Sequence, residues 1–278
     1  MNIAIIGAGV VGQATGNGFA RFGYDVHFYD FNPDVVKQLK KSTYSASEHQ
    51  GCAQEKPIHD VIFICVPEDY LELDLWRDWY RSDLWVVRST VPVGSCEKLQ
   101  KIDWDTLPKQ VIDQEIPTHR CVCHNPEFLR EQVSEFEFMN PDRVVIGECC
   151  KRAGDILEDL YTPFNVPIIR VDTDTSELMK LVSNAYLATQ ISFWNQIDLI
   201  ASKLGVNSHV LGHALTLDPR ISSYGAHMHG KQYGMKCLPK DLAQLKLIGM
   251  KNGVTTVLLD AVKDINDNIE LLKGAKAK

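Results

Sequence analysis

The chain has 278 residues and carries 29 Lys and Arg against 36 Asp and Glu, a formal net charge of −7. That charge argues against a nucleic-acid coat or a binder of anionic membranes, because both need a basic surface. With 45% hydrophobic and 23% charged residues, the composition is that of a globular protein with a substantial core, which excludes disorder and collagen-like repetition. An anionic small ligand remains possible, since backbone amides can bind phosphate on an acidic protein.

The first 20 residues contain no charged side chain, but glycines interrupt this apolar run and no basic residue precedes it. Because no later stretch reaches the ~18 uninterrupted apolar residues of a membrane-spanning helix, we expect a cytoplasmic protein. Its eight cysteines are then mostly reduced packing residues. Neither the Cys121-Val122-Cys123-His124 segment nor the Cys149-Cys150 pair has zinc-ribbon spacing, so the sequence predicts no metal site.

The amino-terminal part predicts strands alternating with helices. Apolar runs predict strands over 2–6, 25–29, 61–66, 84–88, 143–146 and 167–171. Helices are predicted after the first strand, ending near Phe22, and over 33–41. Residues 42–58 are polar and predict turns. Strands that alternate with helices indicate a doubly wound α/β sheet domain.

The pattern changes near residue 172. Helical periodicity runs from Asp174 to about Leu204, with Asp174 and Glu177 at the spacing of a capping box, and continues over 239–251 and 253–273. The sequence therefore predicts a sheet domain over residues 1–172 and an all-helical domain over 173–278.

A G-x-G-x-x-G pattern, Gly7-Ala8-Gly9-Val10-Val11-Gly12, follows the first strand and opens the first helix. Its glycines permit a tight turn, close approach of a pyrophosphate and close packing of helix on strand. Asp30 ends the second strand, where a carboxylate binds ribose hydroxyls and repels a 2′-phosphate. The pattern predicts a dinucleotide site that prefers NAD to NADP; flavin, or a glycine-rich turn beside a solvated aspartate, are the alternatives.

Five further segments follow one another along the chain: STVP (89–92), NPEFLRE (125–131), NPDRVVIG (140–147), ELMKLVSNA (177–185) and CLPKD (237–241). With these motifs the chain resembles the UDP-glucose/GDP-mannose 6-dehydrogenases along essentially its whole length. Members of that family combine a Rossmann-type NAD domain with a helical dimerisation domain. They oxidise the C6 hydroxyl of a nucleotide sugar to a carboxylate with two NAD+ and a cysteine nucleophile, so the resemblance implies this reaction, with UDP-glucose as the first candidate substrate.

By the resemblance Cys237 is the nucleophile, and Lys236 and Lys240 are close enough in sequence to favour its thiolate. The thiolate would attack an aldehyde, giving a thiohemiacetal that is oxidised to a thioester and then hydrolysed. Asp241 matches the family's aspartate that orients a lysine and a water. The alternative for Cys237 is a structural cysteine.

Two pairs of implied catalytic residues have i, i+4 spacing. Lys180 and Asn184 share a helix face and match the family's lysine and asparagine, which could stabilise an oxyanion; a solvated face is the alternative. Glu127 and Glu131 share a predicted helix with Asn125 as its N-cap and Pro126 at its first position, and surface glutamates are the alternative. Glu127 is assigned to acid–base chemistry and thioester hydrolysis.

The resemblance also implies binding residues. Those expected at the cofactor are Gly7, Gly9, Val10, Val11, Gly12, Asp30, Val66, Pro67, Thr90, Glu131 and Lys240, with Thr90 also contacting a catalytic water. Those expected at the substrate are Glu127, Phe128, Leu129, Arg130, Lys180, Asn184, Arg220, Tyr233 and Gly234. Arg220 is expected to reach a substrate across the interface of a homodimer formed by the helical domain.

The chain departs from the family in two ways. The family's G-x-G-Y-G-G-x-C segment, which ends in the cysteine, is GKQYGMKC here (230–237), so Gln232 and Met235 replace glycines. The nearby His227 and His229 are interpreted as loop residues. The family's third, nucleotide-gripping domain is expected to be missing. These departures leave two alternatives open: oxidation of a GDP- or N-acetylated sugar or a smaller alcohol, and a catalytically silent NAD-binding partner protein.

Overall fold

A computed structural model describes residues 1–42, 44–48, 59–68, 82–101, 121–234 and 236–274. They form two compact units, Met1–Glu177 and Leu178–Lys278. The division falls inside the long helix that begins at Thr173, whereas the sequence places the domain boundary near 172.

The first unit is built on an eight-stranded sheet in the order β3-β2-β1-β4-β5-β6-β7-β8. Neighbouring strands are parallel except β6 and β7, which are antiparallel at the pair His124–Gly147. The strands are β1 (Asn2–Ile6), β2 (Asp25–Asp30), β3 (Ser45–Glu48), β4 (Val61–Ile64), β5 (Leu84–Val87), β6 (Cys121–His124), β7 (Val144–Glu148) and β8 (Ile168–Asp172). The accompanying helices are α1 (Val10–Arg21), α2 (Pro33–Lys41), α3 (Ser95–Gln100), α4 (Ser134–Met139) and α5 (Lys151–Tyr161).

Both faces of this sheet are covered, which is why its central strands are continuous apolar runs. One core cluster includes Phe19, Phe28 and Phe63, and a second includes Ile62 and Trp85. The predicted doubly wound α/β architecture is confirmed. The sequence missed β3, where turns were predicted, and β6.

The second unit is helical. It contains most of α6 (Thr173–Lys203), together with α7 (Ser208–Leu215), α8 (Ser223–Met228), α9 (Cys237–Lys251) and α10 (Val257–Gly274). Its core includes Ala188, Ile191, Leu242 and Val262, and none of its described residues form a strand. Among the described helices of the whole chain, none has the length and apolar character needed to cross a membrane.

The start of α6 differs from the predicted capping box. The carboxylate of Asp172 accepts a hydrogen bond from the Thr175 backbone N–H at 2.8 Å, so Asp172 caps the helix instead of Asp174. Glu177 is buried and accepts from the backbone N–H groups of Gly94 (2.6 Å) and Cys96 (2.8 Å). The predicted capping box is wrong because the Glu177 carboxylate accepts from unpaired backbone N–H groups at the amino end of α3 rather than from those of its own helix.

Candidate active site

The glycine-rich turn after β1 has the shape that its sequence requires. Gly7 has a φ of 87°, and a Cβ there would lie 2.8 Å from Val66 Cγ1. A Cβ on Gly12 would lie 1.9 Å from the Gly7 carbonyl oxygen, whereas one on Gly9 would meet nothing within 4 Å. Gly7 and Gly12 therefore allow the turn to close against the helix, and Gly9 leaves open the space that a pyrophosphate would fill.

Asp30 lies beside this turn at the end of β2. Its Oδ2 accepts a hydrogen bond from the Ala8 N–H at 2.7 Å and its Oδ1 accepts from the Asn32 N–H at 2.8 Å. Each carboxylate oxygen retains a further lone pair for a ribose hydroxyl. The first turn of α1, which includes exposed Val10 and half-buried Val11, holds no acidic side chain, so its positive end suits a pyrophosphate. These residues fit NAD.

Other expected cofactor residues follow the carboxyl ends of neighbouring strands. After β4, Val66 is buried under Gly7 and Pro67 is exposed. Thr90 is half-buried after β5. Since β1, β4 and β5 are parallel, these positions lie at the edge of the sheet where such folds bind ligands.

Asn125 follows β6 and is buried in a polar network, not at a helix cap. Its Oδ1 accepts hydrogen bonds from the buried Arg88 guanidinium and from Tyr161 Oη (2.5 Å), and its Nδ2 donates to the Val145 carbonyl at 2.7 Å. Residues 125–130 are not helical, and 131–133 form a 3₁₀ turn. The predicted helix is therefore wrong, because Arg88 and Tyr161 fix Asn125 as a support for the loop that carries Glu127.

This loop lines a cavity of about 270 Å³ that Glu127, Phe128, Leu129 and Arg130 share with other residues. Glu127 is half-buried and its Oε2 accepts from the Leu129 N–H at 2.7 Å. Arg130 pairs with Glu137, while Glu131 is exposed. Glu127 and Glu131 do not share a helix face, and only Glu127 of the two lines this cavity.

The helical unit brings together a second group of expected residues. Asn184 Nδ2 donates to Asp241 Oδ2 at 2.5 Å, and Lys240 Nζ lies 3.1 Å from Asp241 Oδ1. Lys180, one turn before Asn184 on α6, is 4% exposed, Asn184 is 8% and Asp241 is 1%. The alternative of a solvated face is therefore wrong for Lys180 and Asn184.

Cys237 is the first residue of α9 and is exposed. It precedes Asp241 by one turn of the same helix, so the two side chains share a helix face. The amino end of a helix favours an anion such as a thiolate. A nucleophile at this position therefore lies on the same helix as the carboxylate that holds Asn184.

The other expected substrate residues of the helical unit differ in exposure. Arg220 is 87% exposed at its side chain and pairs with Asp218 at 2.6 Å. Tyr233 packs in the helical core, where burial raises its pKa to about 12, and its N–H donates to Asn266 Oδ1 at 2.9 Å. Gly234 is exposed.

The segment before Cys237 contains the two departures from the family pattern. Gln232 donates from Nε2 to the Asp267 carbonyl at 3.3 Å, and Met235 lies outside the described residues. His229 lies in the loop after α8, as expected, but it is buried: its Nε2 lies 3.0 Å from Ser208 Oγ, which donates to Asp198 at 2.6 Å. The expectation of a loop is wrong for His227, which is exposed but lies within the short helix α8.

Comparisons with known proteins match both units. A model described as UDP-glucose/GDP-mannose dehydrogenase family, central domain, matches residues 174–268, and the NAD binding domain of the same family matches residues 75–165. Residues 2–84, which include the glycine-rich turn and Asp30, match a model described as NADP oxidoreductase, coenzyme F420-dependent.

Individual relatives agree with these matches. The chain is 31% identical to UDP-glucose 6-dehydrogenase YwqF of Bacillus subtilis over all of this chain and 68% of that protein. It is 29% identical to UDP-glucose 6-dehydrogenase of Rhizobium meliloti, over 99% of this chain and 70% of that protein. The structure of a UDP-glucose dehydrogenase from Pyrobaculum islandicum superposes with a TM-score of 0.80 at 29% identity, covering 96% of this chain and 68% of that one. The chain therefore belongs to the UDP-glucose/GDP-mannose dehydrogenase family of NAD-dependent oxidoreductases, and it carries the family's NAD-binding and central domains.

Proposed function

We propose that the protein oxidises the C6 hydroxyl of a nucleotide sugar to a carboxylate in two NAD+-dependent steps, with UDP-glucose as substrate and UDP-glucuronate as product. The observation that carries this proposal is the buried Asn184–Asp241 contact, flanked by Lys180 on α6 and by Cys237 on α9. A lysine, an amide and a carboxylate held beside a cysteine are the groups that this oxidation needs. The names of the relatives supply the sugar.

In this scheme the turn at Gly7–Gly12 and Asp30 would hold NAD+, which would supply the hydride acceptor for both oxidations. Lys180 and Asn184 donate hydrogen bonds to the C6 oxygen as it gains negative charge. Cys237 Sγ bonds to the C6 aldehyde carbon to give a thiohemiacetal, and removal of the second hydride leaves a thioester. Glu127 takes a proton from the attacking water, the C6–Sγ bond breaks, and the carboxylate and the Cys237 thiol are released.

The test is an assay with NAD+ and UDP-glucose in which NADH and uronate are both measured. We expect two NADH per sugar oxidised, and Cys237→Ser should abolish net acid formation while keeping NAD+ binding, measured as a shift in melting temperature. A folded protein that binds NAD+ and yields no NADH with any nucleotide sugar would contradict the proposal and would support the silent NAD-binding protein instead.

Gln232 and Met235, where the family has glycines, favour a second candidate substrate class: a GDP- or N-acetylated sugar, or a smaller alcohol. Side chains at these positions narrow the backbone conformations open to the segment before Cys237. A thermal-shift panel of UDP-glucose, GDP-mannose and N-acetylhexosamine nucleotides separates the candidates. Stabilisation by UDP-glucose alone would remove this alternative.

We also infer a homodimer formed through α6. The helix has one buried and one exposed apolar face, since Leu181, Ala185 and Ile191 are buried whereas Val182 is 46% and Phe193 is 57% exposed. Leu178 and Tyr186 extend the exposed face. A continuous apolar stripe on a helix surface is typical of an interface, and pairing there would give Arg220 a second subunit to reach.

A further inference from the structure

Two pairs of cysteines, separated by 26 to 29 residues in the sequence, meet where β6 pairs with β7. Cys121 and Cys123 lie on β6, and Cys149 and Cys150 directly follow β7. Cys121 Sγ is 3.4 Å from Cys150 Sγ, and Cys123 Sγ is 3.8 Å from Cys149 Sγ. The sulfurs of Cys121, Cys149 and Cys150 all lie within 4.8 Å of one another.

The antiparallel register explains the contact between Cys121 and Cys150. His124 pairs with Gly147, and counting outward from that pair along the two strands brings Cys121 opposite Cys150. Cys121 and Cys123 are two residues apart on one strand, so their side chains point to the same face. Residues opposite one another across an antiparallel pair have Cβ atoms about 5 Å apart, near enough for their sulfurs to share one ligand.

The Cys121–Cys150 and Cys123–Cys149 sulfur separations are close to those in a metal–thiolate site. In tetrahedral coordination with a Zn–S bond of ~2.3 Å, the sulfurs lie about 3.8 Å apart, whereas a disulfide needs ~2.05 Å. We propose that Cys121, Cys149 and Cys150 bind one thiophilic divalent cation, Zn²⁺, and that Cys123, whose sulfur is 3.8 Å from that of Cys149, turns toward it to complete a tetrathiolate. The spacing of the cysteines in the sequence does not reveal such a site, because two ligands come from β6 and two from the end of β7.

The surroundings suit a negatively charged metal–thiolate unit. Cys150 is the N-cap of α5, an 11-residue helix whose first turn holds no acidic side chain and begins with Lys151 and Arg152. The positive end of the helix offsets part of the unit's charge.

The site lies away from the cofactor turn. Cys121 begins β6, whereas the residues expected at the cofactor follow the carboxyl ends of β1, β4 and β5, which run parallel to it. The cation would join β6 to β7, where the strand direction in the sheet reverses. These two strands are paired at one residue pair, whereas the other neighbouring strands are paired at four or five. We therefore assign it a stabilising role rather than a catalytic one.

The full chain, purified under reducing conditions from zinc-supplemented medium, tests the proposal. We expect one zinc per chain by mass spectrometry of the metal. Replacement by Co²⁺ should give the intense thiolate-to-cobalt charge-transfer band and visible d–d bands of a tetrahedral tetrathiolate. Chelation should lower the melting temperature, and added Zn²⁺ should restore it.

Cys150→Ser changes an exposed ligand and is expected to preserve the fold while losing the metal and the charge-transfer band. Cys237→Ser, which removes the exposed cysteine of the other unit, should keep one zinc per chain and serves as the matched control. Absence of bound zinc together with a folded protein that gives no cobalt spectrum would overturn the proposal. So would an intact mass showing that Cys121–Cys150 and Cys123–Cys149 disulfides form instead and that no metal binds after their reduction. None of these measurements depends on the dehydrogenase reaction.

Discussion

Asn184 on α6 donates a hydrogen bond across 2.5 Å to Asp241 on α9, and each of the two side chains is more than nine-tenths buried. Lys240 lies against the other oxygen of the same carboxylate. The carboxylate thus couples the helix that carries Lys180 to the helix that begins with Cys237. One oxygen of the buried carboxylate thus accepts a hydrogen bond, and the other lies 3.1 Å from a cation that offsets its charge.

We expect Asp241→Asn to lower kcat at least ~10-fold and to reduce the free energy of unfolding by about 1–3 kcal/mol, because it removes the carboxylate charge that faces Lys240 and replaces one acceptor oxygen by a buried NH2 donor. Steady-state kinetics and urea unfolding measure the two effects. Asp264→Asn changes an exposed aspartate of the same unit and should alter stability by less than about 0.5 kcal/mol. Equal effects of the two variants would contradict a special role for Asp241.

Asp30 should determine whether the site prefers NAD+ or NADP+. Asp30→Ser removes the carboxylate expected to bind the ribose hydroxyls, and the loss of charge-assisted bonds worth about 1.5–3 kcal/mol raises the KM for NAD+ about 10- to 100-fold. Adding Phe31→Arg should then improve the use of NADP+, because a cation replaces the repelling carboxylate.

The matched control for this change is Asp25→Ser at the opposite end of β2, where the side chain is exposed. It should leave both KM values within about twofold, since surface substitutions rarely exceed about 0.5 kcal/mol. An unchanged preference for NAD+ in the Asp30→Ser variant would contradict the assignment.

A buried histidine should make stability depend on pH. His59 Nε2 lies 3.0 Å from Tyr29 Oη, and burial, with a contribution from neighbouring His27, lowers the pKa of His59 to about 4. The pKa of His27 is lowered as well, chiefly by burial. Between about pH 4 and the ordinary histidine value of about 6.5, the unfolded chain binds more protons than the folded one. Stability should therefore rise with pH through this window and be lost as the pH falls.

His59→Gln keeps a polar group for Tyr29 but cannot take up the proton, so the difference in unfolding free energy between about pH 5 and pH 7.5 should shrink. Urea unfolding at the two pH values measures it. His213→Gln, at an exposed histidine, should retain the full difference. If His59→Gln retains it too, the buried pair does not carry the effect.

The exposed apolar face of α6 predicts how the dimer can be broken. Val182→Glu and Phe193→Glu each place a charge in that face, and desolvating an unpaired charge opposes association strongly. Sedimentation should show a dimer for the unchanged protein and a monomer for both variants. Val257→Glu, at a residue that is 74% exposed at the start of α10, should leave the dimer intact. A monomeric unchanged protein at micromolar concentration would refute the proposal.

Elements with strong local patterns were predictable from the sequence. The central strands are apolar on both faces, and α2 begins and ends where its proline and lysines indicate. The strand β3 was not predictable, because its sequence Ser45-Ala46-Ser47-Glu48 is polar and it is held by pairing with β2 at the edge of the sheet. Short edge strands owe their conformation to the neighbouring strand rather than to their own residues.

The misplaced helix at Asn125 has a different cause. Asn before Pro is a favourable helix start by local rules, but Arg88 and Tyr161 occupy the oxygen that would have capped it. Those partners lie 37 and 36 residues away in the chain, and no local pattern reveals them. The spacing of Lys180 and Asn184 correctly placed both on α6, but only the fold shows that Asp241 meets Asn184.

Glu177 and Lys180 lie within one turn of α6, and the first of them is fixed by two backbone hydrogen bonds from the Gly94–Cys96 segment. An α-helix turns ~100° per residue, so the three residues from Glu177 to Lys180 set the side of α6 on which the lysine lies. A single residue inserted between them would turn the lysine to another side of the helix. The role proposed for Lys180 therefore depends on the length of this step as well as on its amino group.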